Sequence, residues 1–221
     1  MRKMNWVMSA MVLMGMAAVA RGEVKVTVDY NSVATASAAF RFKTVPAPVK
    51  NDAGAGAVMT LVAGESDGNG ADLAALTDGL VPKEEDEPAA NFFFDAGTLG
   101  GRFRMDLGSV IGIDQVNTYS WHPNTRGPQV YKLYASDGTG TGFNAAPKEG
   151  VDPAGCGWKL IATVDTRPPQ GDGGGQYGVS IADSSGPLGK FRYLWFVCIA
   201  TEADDDWGNT FYSEVDVVAN K

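Results

Sequence analysis

The stretch Val24-Lys25-Val26-Thr27-Val28-Asp29-Tyr30 alternates apolar and polar side chains with a period of two. A strand packed on one face and wetted on the other has this period, because successive side chains leave the pleat on opposite sides. Similar short runs follow at 40–43, 59–62, 103–107, 111–121, 130–135, 160–164, 177–181, 191–199 and 211–218. Turn-forming clusters separate them: Asn51-Asp52-Ala53-Gly54, Asp67-Gly68-Asn69-Gly70, Asp137-Gly138 and the glycine-rich run 171–175. Only 72–76 reads as a helical turn, and no amphipathic stretch reaches three turns. Many short strands joined by turns, without a solenoid or propeller period, predict an all-β sandwich.

Composition agrees with a folding chain. Of 221 residues, 44% are apolar and 20% charged, outside both the disordered and the fibrous classes. The 18 Lys and Arg against 26 Asp and Glu give a net charge of −8. An acidic surface repels phosphate, so neither nucleic acid nor an anionic membrane surface is an expected partner. With one His and two Cys, the chain cannot build an all-protein Cys/His zinc cage.

The first 20 residues stand apart. Arg2 and Lys3 precede an apolar run from Trp6 to Val19, and Ala18-Val19-Ala20 puts small residues where a signal peptidase cuts. The run falls short of the roughly 20 residues a bilayer core requires. Residues 1–20 are therefore expected to be a signal peptide, with the chain secreted, periplasmic or on the cell surface and not inserted in the membrane. Losing Arg2 and Lys3 would take the charge from −8 to −10. Export also places Cys156 and Cys198 in an oxidising compartment. Either they form a disulfide, worth roughly 4 kcal/mol by chain entropy, or they are two buried thiols.

Several landmarks then occur in order: Leu76-Thr77-Asp78-Gly79, Met105-Asp106-Leu107-Gly108, Tyr131-Lys132-Leu133-Tyr134-Ala135-Ser136-Asp137-Gly138, 158–162, Phe191-Arg192-Tyr193-Leu194 and Phe211-Tyr212-Ser213-Glu214-Val215-Asp216-Val217. This series resembles the discoidin domains, also called coagulation factor V/VIII type C domains, which share the galactose-binding-like jelly roll with many carbohydrate-binding modules. The resemblance covers roughly 72–218. It implies a galactose-binding-like jelly-roll β-sandwich with long loops over 73–221, with 21–72 as an N-terminal strand extension packed on it. Two features depart from the blood-factor and discoidin members: the disulfide that joins the two ends of those domains has no counterpart, and the loops 139–157 and 167–175 are enlarged.

The resemblance further implies non-catalytic binding, commonly of a sugar, at loops on one end of the sandwich. Residue chemistry can be read beside it. A pyranose needs an aromatic face for its C–H surface and planar polar groups for adjacent hydroxyls. Ser120-Trp121-His122-Pro123-Asn124-Thr125-Arg126 offers these at a strand end, and in similar modules a His and an Arg on the equivalent loop contact the sugar. Trp121, His122, Asn124 and Arg126 are thus the candidate ligand contacts. Against this, Trp121 fits a core position and Arg126, before Gly127-Pro128, fits a loop brace. Trp207, among Asp204, Asp205, Asp206 and Asn209, is a further candidate stacking ring or a barrel plug. In Phe92-Phe93-Phe94, alternation puts one or two rings inward and leaves one at the surface, against the alternative that the whole run is core.

Related modules also hold a structural calcium, a site that maps onto Asp78 and Glu214 with backbone carbonyls near Leu76 and Thr77. The alternative is a turn cap and an ion pair. Asp67-Gly68-Asn69-Gly70 opens like an EF-hand but has Ala71 at the third ligand position and no Glu at the twelfth. The acidic run 84–87 reads as solvated loop.

The chain carries no G-x-S-x-G, H-E-x-x-H or P-loop motif, and no G-x-G-x-x-G after a strand. The expectation is a non-catalytic binder of carbohydrate or glycoprotein, with affinity for one sugar unit of roughly 4 to 8 kcal/mol, millimolar to micromolar. A protein-interaction or structural module without a small ligand is the first alternative, and a polysaccharide-active enzyme is the second.

Overall fold

The alternating run near the N-terminus forms strand β1 (Val24–Ser32) of a computed structural model that describes residues 22–202 and 208–220. Seven more strands follow: β2 (Val58–Ala63), β3 (Gly100–His122), β4 (Val130–Ser136), β5 (Lys159–Asp165), β6 (Gly175–Asp183), β7 (Gly189–Ile199) and β8 (Tyr212–Ala219). Every pairing is antiparallel. The proposed leader, 1–20, and Trp207 lie outside the described residues.

Strand β3 organises the sandwich. Its first half pairs with β2 on one side and β7 on the other, and β7 continues through β4 to β5. Its second half pairs with β6 and β8, and β6 carries β1 on its far edge. One long strand thus belongs to both layers. The step between its halves falls between Asp106 and Ile111, where the register shifts. Gly108 there has φ +79°, and its N–H donates to Asp106 Oδ1 at 2.9 Å. A glycine adopts that left-handed backbone without a β-carbon penalty. The separate runs at 103–107 and 111–121 are therefore one bulged strand.

Inward side chains of the two layers meet in the main core. Phe103, Met105, Leu133, Leu194 and Phe196 come from one layer, and Val116, Val179, Ile181, Val215 and Val217 from the other. Burying each such side chain stabilises the fold by about 1.5–3 kcal/mol. Tyr119 and Trp121, on the opposite face of β3, pack instead against Phe40 and Val45 of the N-terminal segment. That segment is a cover for the second layer.

The helical turn at 72–76 is a single 3-10 turn over Leu73–Thr77, started by Asp72, whose carboxylate accepts from the Ala74 N–H. Other expectations need correction. Residues 40–43 are not a strand, because Phe40 has φ +44°, which breaks the extended backbone and drives its ring into the Tyr119–Trp121 cluster. All three rings of Phe92–Phe94 are buried, since both faces of that segment are covered.

Of the two readings of the cysteines, the structure has the free thiols: Cys156 is half-buried, Cys198 is buried, and neither is bridged. Alternation along β7 explains this. Leu194, Phe196 and Cys198 face the main core, while Tyr193, Trp195 and Val197 face a second cluster with Tyr134, Trp158 and Cys156. The two thiols lie on opposite sides of one strand. Burial in the core pushes the Cys198 thiol up to about 12.

Candidate functional site

The end of β3 and the loop after it shape a cavity of about 310 Å³. His122, Asn124 and Arg126 line it, with Asp67 and Asn69 from the turn after β2, Asp86 from the acidic run, and Phe93 and Phe211 behind. Three of the five ligand-contact candidates therefore converge. Trp121 does not, because the alternation that turns His122 toward the cavity turns Trp121 to the opposite face, where it is core.

His122 is buried. Its Nδ1 accepts from the Asn124 N–H at 3.3 Å, so the neutral ring carries its proton on Nε2. Nε2 lies 3.8 Å from Asp86 Oδ1, and that carboxylate is largely solvated. Burial and the nearby Arg126 charge push the imidazole down to about 4, against the weaker pull of Asp86. A ligand hydroxyl beside this pair can accept from the imidazole and donate to the carboxylate.

Arg126 is held from three sides. Its guanidinium lies over the rings of Phe93 and Phe211, 4.6 and 4.1 Å from their centroids, and its Nε donates to the Asn209 carbonyl at 3.2 Å. Those two rings stack on each other at 4.0 Å, and the backbone N–H of Phe211 donates to the Arg126 carbonyl. Asn209 is itself anchored through Nδ2 to the carbonyls of Asp95 and Thr98. A planar donor held this rigidly suits paired acceptors. Its contacts within the fold are those of a loop brace, the alternative reading of Arg126.

Asp67 is buried, and its Oδ1 accepts from both the backbone and side-chain N–H of Asn69. Sequence reasoning missed Asp67, Asn69, Asp86, Phe93 and Phe211 as cavity residues. Asp67 and Asn69 did carry a signal, the Asp-Gly-Asn-Gly turn, but its spacing was weighed only for an EF-hand. That Asp86 belongs here follows from how its loop folds over, which no local pattern encodes.

A second polar cluster lies on the outer face of the β3–β8 layer. Gly79 N–H donates to Glu214 Oε2 at 3.1 Å, which holds the Asp78 turn against β8, while Asp78 Oδ1 caps that turn by accepting from the Leu80 N–H at 2.7 Å. Gly79 has φ +69° and sits against Lys50, leaving no room for a side chain. Asp216 Oδ2 accepts from the Val49 N–H and the Tyr119 hydroxyl, and Asp52 Oδ1 from the Val217 N–H. Glu214 Oε1 and Asp216 Oδ1 are buried with no hydrogen-bond partner among the described residues. Burial, with Asp216, Asp78 and Asp52 nearby, pushes the Glu214 carboxyl up to about 9. Burial and Asp52 push Asp216 up to about 7.

No family model matches the chain, and no curated protein sequence matches it. Solved structures do. The chain is similar to the lectin domain of lectinolysin complexed with Lewis B antigen, at 12% identity and a TM-score of 0.47, covering 77% of this chain and 98% of that one. A chitosan-binding module of a chitosanase/glucanase from Paenibacillus sp. IK-5 matches at 15% identity and a TM-score of 0.47, covering 76% and 98%. The family 32 carbohydrate-binding module of C. perfringens NanJ, in complex with galactose, matches at 14% identity and a TM-score of 0.42, covering 72% and 92%. Against the longer SpGH29 the chain spans 28% of that protein. The likeness is thus a distant one to carbohydrate-binding modules and lectin domains, over nearly their whole length.

Proposed function

We propose that this protein is an exported, non-catalytic carbohydrate-binding module whose ligand enters the cavity of His122, Asn124 and Arg126. One observation carries the reading: donors and acceptors for adjacent hydroxyls converge in a cavity sized for about one sugar unit. His122 Nε2 and the Arg126 guanidinium donate, while Asp67 and Asp86 accept. The exposed apolar side chains with the greatest accessibility, Val58, Leu80 and Leu99, sit on separate elements away from this cavity, which disfavours the interaction-module reading. His122 is the chain's single His, and among the described residues no Ser or Cys lines the cavity with it, so the lining holds no His-activated hydroxyl or thiol nucleophile.

A glycan array tests this. Wild-type protein binds a subset of glycans; Arg126→Lys lowers affinity about tenfold or more, the scale of losing a charge-assisted hydrogen bond, and His122→Ala about threefold to tenfold, the scale of a neutral one. A folded protein that binds nothing on the array refutes the reading.

A structural calcium at Asp78 and Glu214 belongs to the same proposal. The orphaned Glu214 Oε1 is a buried oxygen lacking a counter-charge, and calcium accepts such hard donors. Among the described residues no group of three or more His, Cys, Asp or Glu side chains is placed to hold a metal. Backbone carbonyls near Leu76 and Thr77 would therefore complete the shell. Bound there, the ion would neutralise the buried acids and pin the Asp78 turn to β8.

A further inference from the structure

Among the described residues, which do not include Trp207, the His122 cavity presents no exposed ring. Phe93 and Phe211 are 2% and 1% exposed, and Arg126 covers them. Beside this cavity, on the other side of one layer of backbone, is a cleft of about 430 Å³ that presents such a ring. Tyr30, at the end of β1, is 51% exposed. Its back leans on Tyr177 with ring centroids 4.9 Å apart, and its hydroxyl donates to the Gly174 carbonyl at 2.8 Å. The Tyr177 hydroxyl donates to the neighbouring Gly173 carbonyl at 2.8 Å.

An exposed aromatic fixed at its back and its tip loses little entropy when something stacks on its free face. Around it stand Pro168, the exposed amide of Gln170 and Asp172, whose Oδ1 is engaged by the Gly174 N–H at 3.0 Å. A rigid ring edged by an amide and a carboxylate suits the apolar face and equatorial hydroxyls of a pyranose.

The wall between the two cavities is shared. Gly174 lines the cleft and packs directly on Pro123 and Asn124, which line the His122 cavity; a β-carbon at Gly174 would collide with the Pro123 carbonyl. Only glycine lets the two loops lie this close. Tyr30 comes from the N-terminal strand β1, and Gln170 and Asp172 from the enlarged loop 167–175.

We propose that the Tyr30–Gln170–Asp172 cleft is a second subsite, taking a further pyranose of the same glycan chain whose terminal unit occupies the His122 cavity. The proposal rests on the carbohydrate reading above. It makes the protein a reader of oligosaccharides, with the polar cavity selecting one unit and the Tyr30 ring holding its neighbours.

Calorimetry with cello-, xylo-, chito- and galacto-oligosaccharides, each from the single sugar to the hexamer, tests it. For a series that binds, wild-type affinity rises about fivefold to tenfold with length, the scale of one stacked ring. Tyr30→Leu cuts that hexamer-to-monomer ratio to near one and Gln170→Ala lowers it about twofold or more, the scale of a neutral hydrogen bond, whereas Tyr30→Phe, which keeps the ring, retains it. Among the described residues the Gln170 side chain makes no hydrogen bond that its loss would break, so Gln170→Ala reports even if Tyr30→Leu is unstable. A ratio unchanged in Tyr30→Leu and Gln170→Ala, or no length dependence in wild type, overturns the subsite and leaves the first cavity standing. Absence of binding to all four series refutes the carbohydrate reading for these glycans and the subsite with it.

Discussion

His122 shows how far one residue's environment departs from its sequence context. A loop His is ordinarily solvated and titrates near 6.5; here burial and Arg126 hold it neutral down to about pH 4. The unfolded chain takes up a proton below about pH 6.5 and the folded chain does not. Stability from this group is complete above pH 6.5 and is lost as pH falls toward 4. Urea melts across that window should show the decline, and His122→Gln should flatten it; an identical slope in both proteins would assign it to other groups. Glu214 is the opposite case, an acid whose burial raises it to about 9. If calcium occupies the Asp78–Glu214 site, adding it at about 100 times its Kd should raise stability by about 2.7 kcal/mol. Glu214→Gln should remove that gain in a thermal melt, and an unchanged melting temperature in wild type would mean no such site.

Individual elements were legible where local pattern suffices. The alternation at 24–30 became β1, and the turn at 72–76 became a capped 3-10 turn. The same alternation carries more than strand identity. It separates Trp121 from His122 on β3 and Cys198 from Trp195 on β7, but the sequence does not say which face meets which cover. The glycines of the 171–175 loop were read as turn formers, whereas Gly174 is a packing residue between two cavities. Gly174→Ala should cost about 1–3 kcal/mol through forced separation of the loops and should weaken glycan binding. Gly140→Ala, with open space where the β-carbon would go, should be neutral or stabilise by up to about 1 kcal/mol. Equal melting temperatures for the two variants would contradict this account.

At the scale of the whole molecule, β1 pairs with β6, β2 with β3, and Phe40 packs over Trp121, so these N-terminal elements are part of the sandwich. Stability is expected to come from this packing and not from a covalent staple. Reductant should leave the melting temperature unchanged, and both Cys156 and Cys198 should alkylate in denaturant without reductant; a mass two protons lighter would show a disulfide instead. The sequence by itself determined the all-β class, the loop positions, the acidic surface and the segment that carries His122 and Arg126, because periodicity, turn chemistry and charge are local properties. Only the tertiary structure decided that Trp121 is core, that the two cysteines face apart, that Asp67 and Asp86 join His122, and that Tyr30 meets a loop some 140 residues away. Those outcomes depend on which faces pack together and on the dielectric that packing creates, and both are set by contacts between residues distant in the chain.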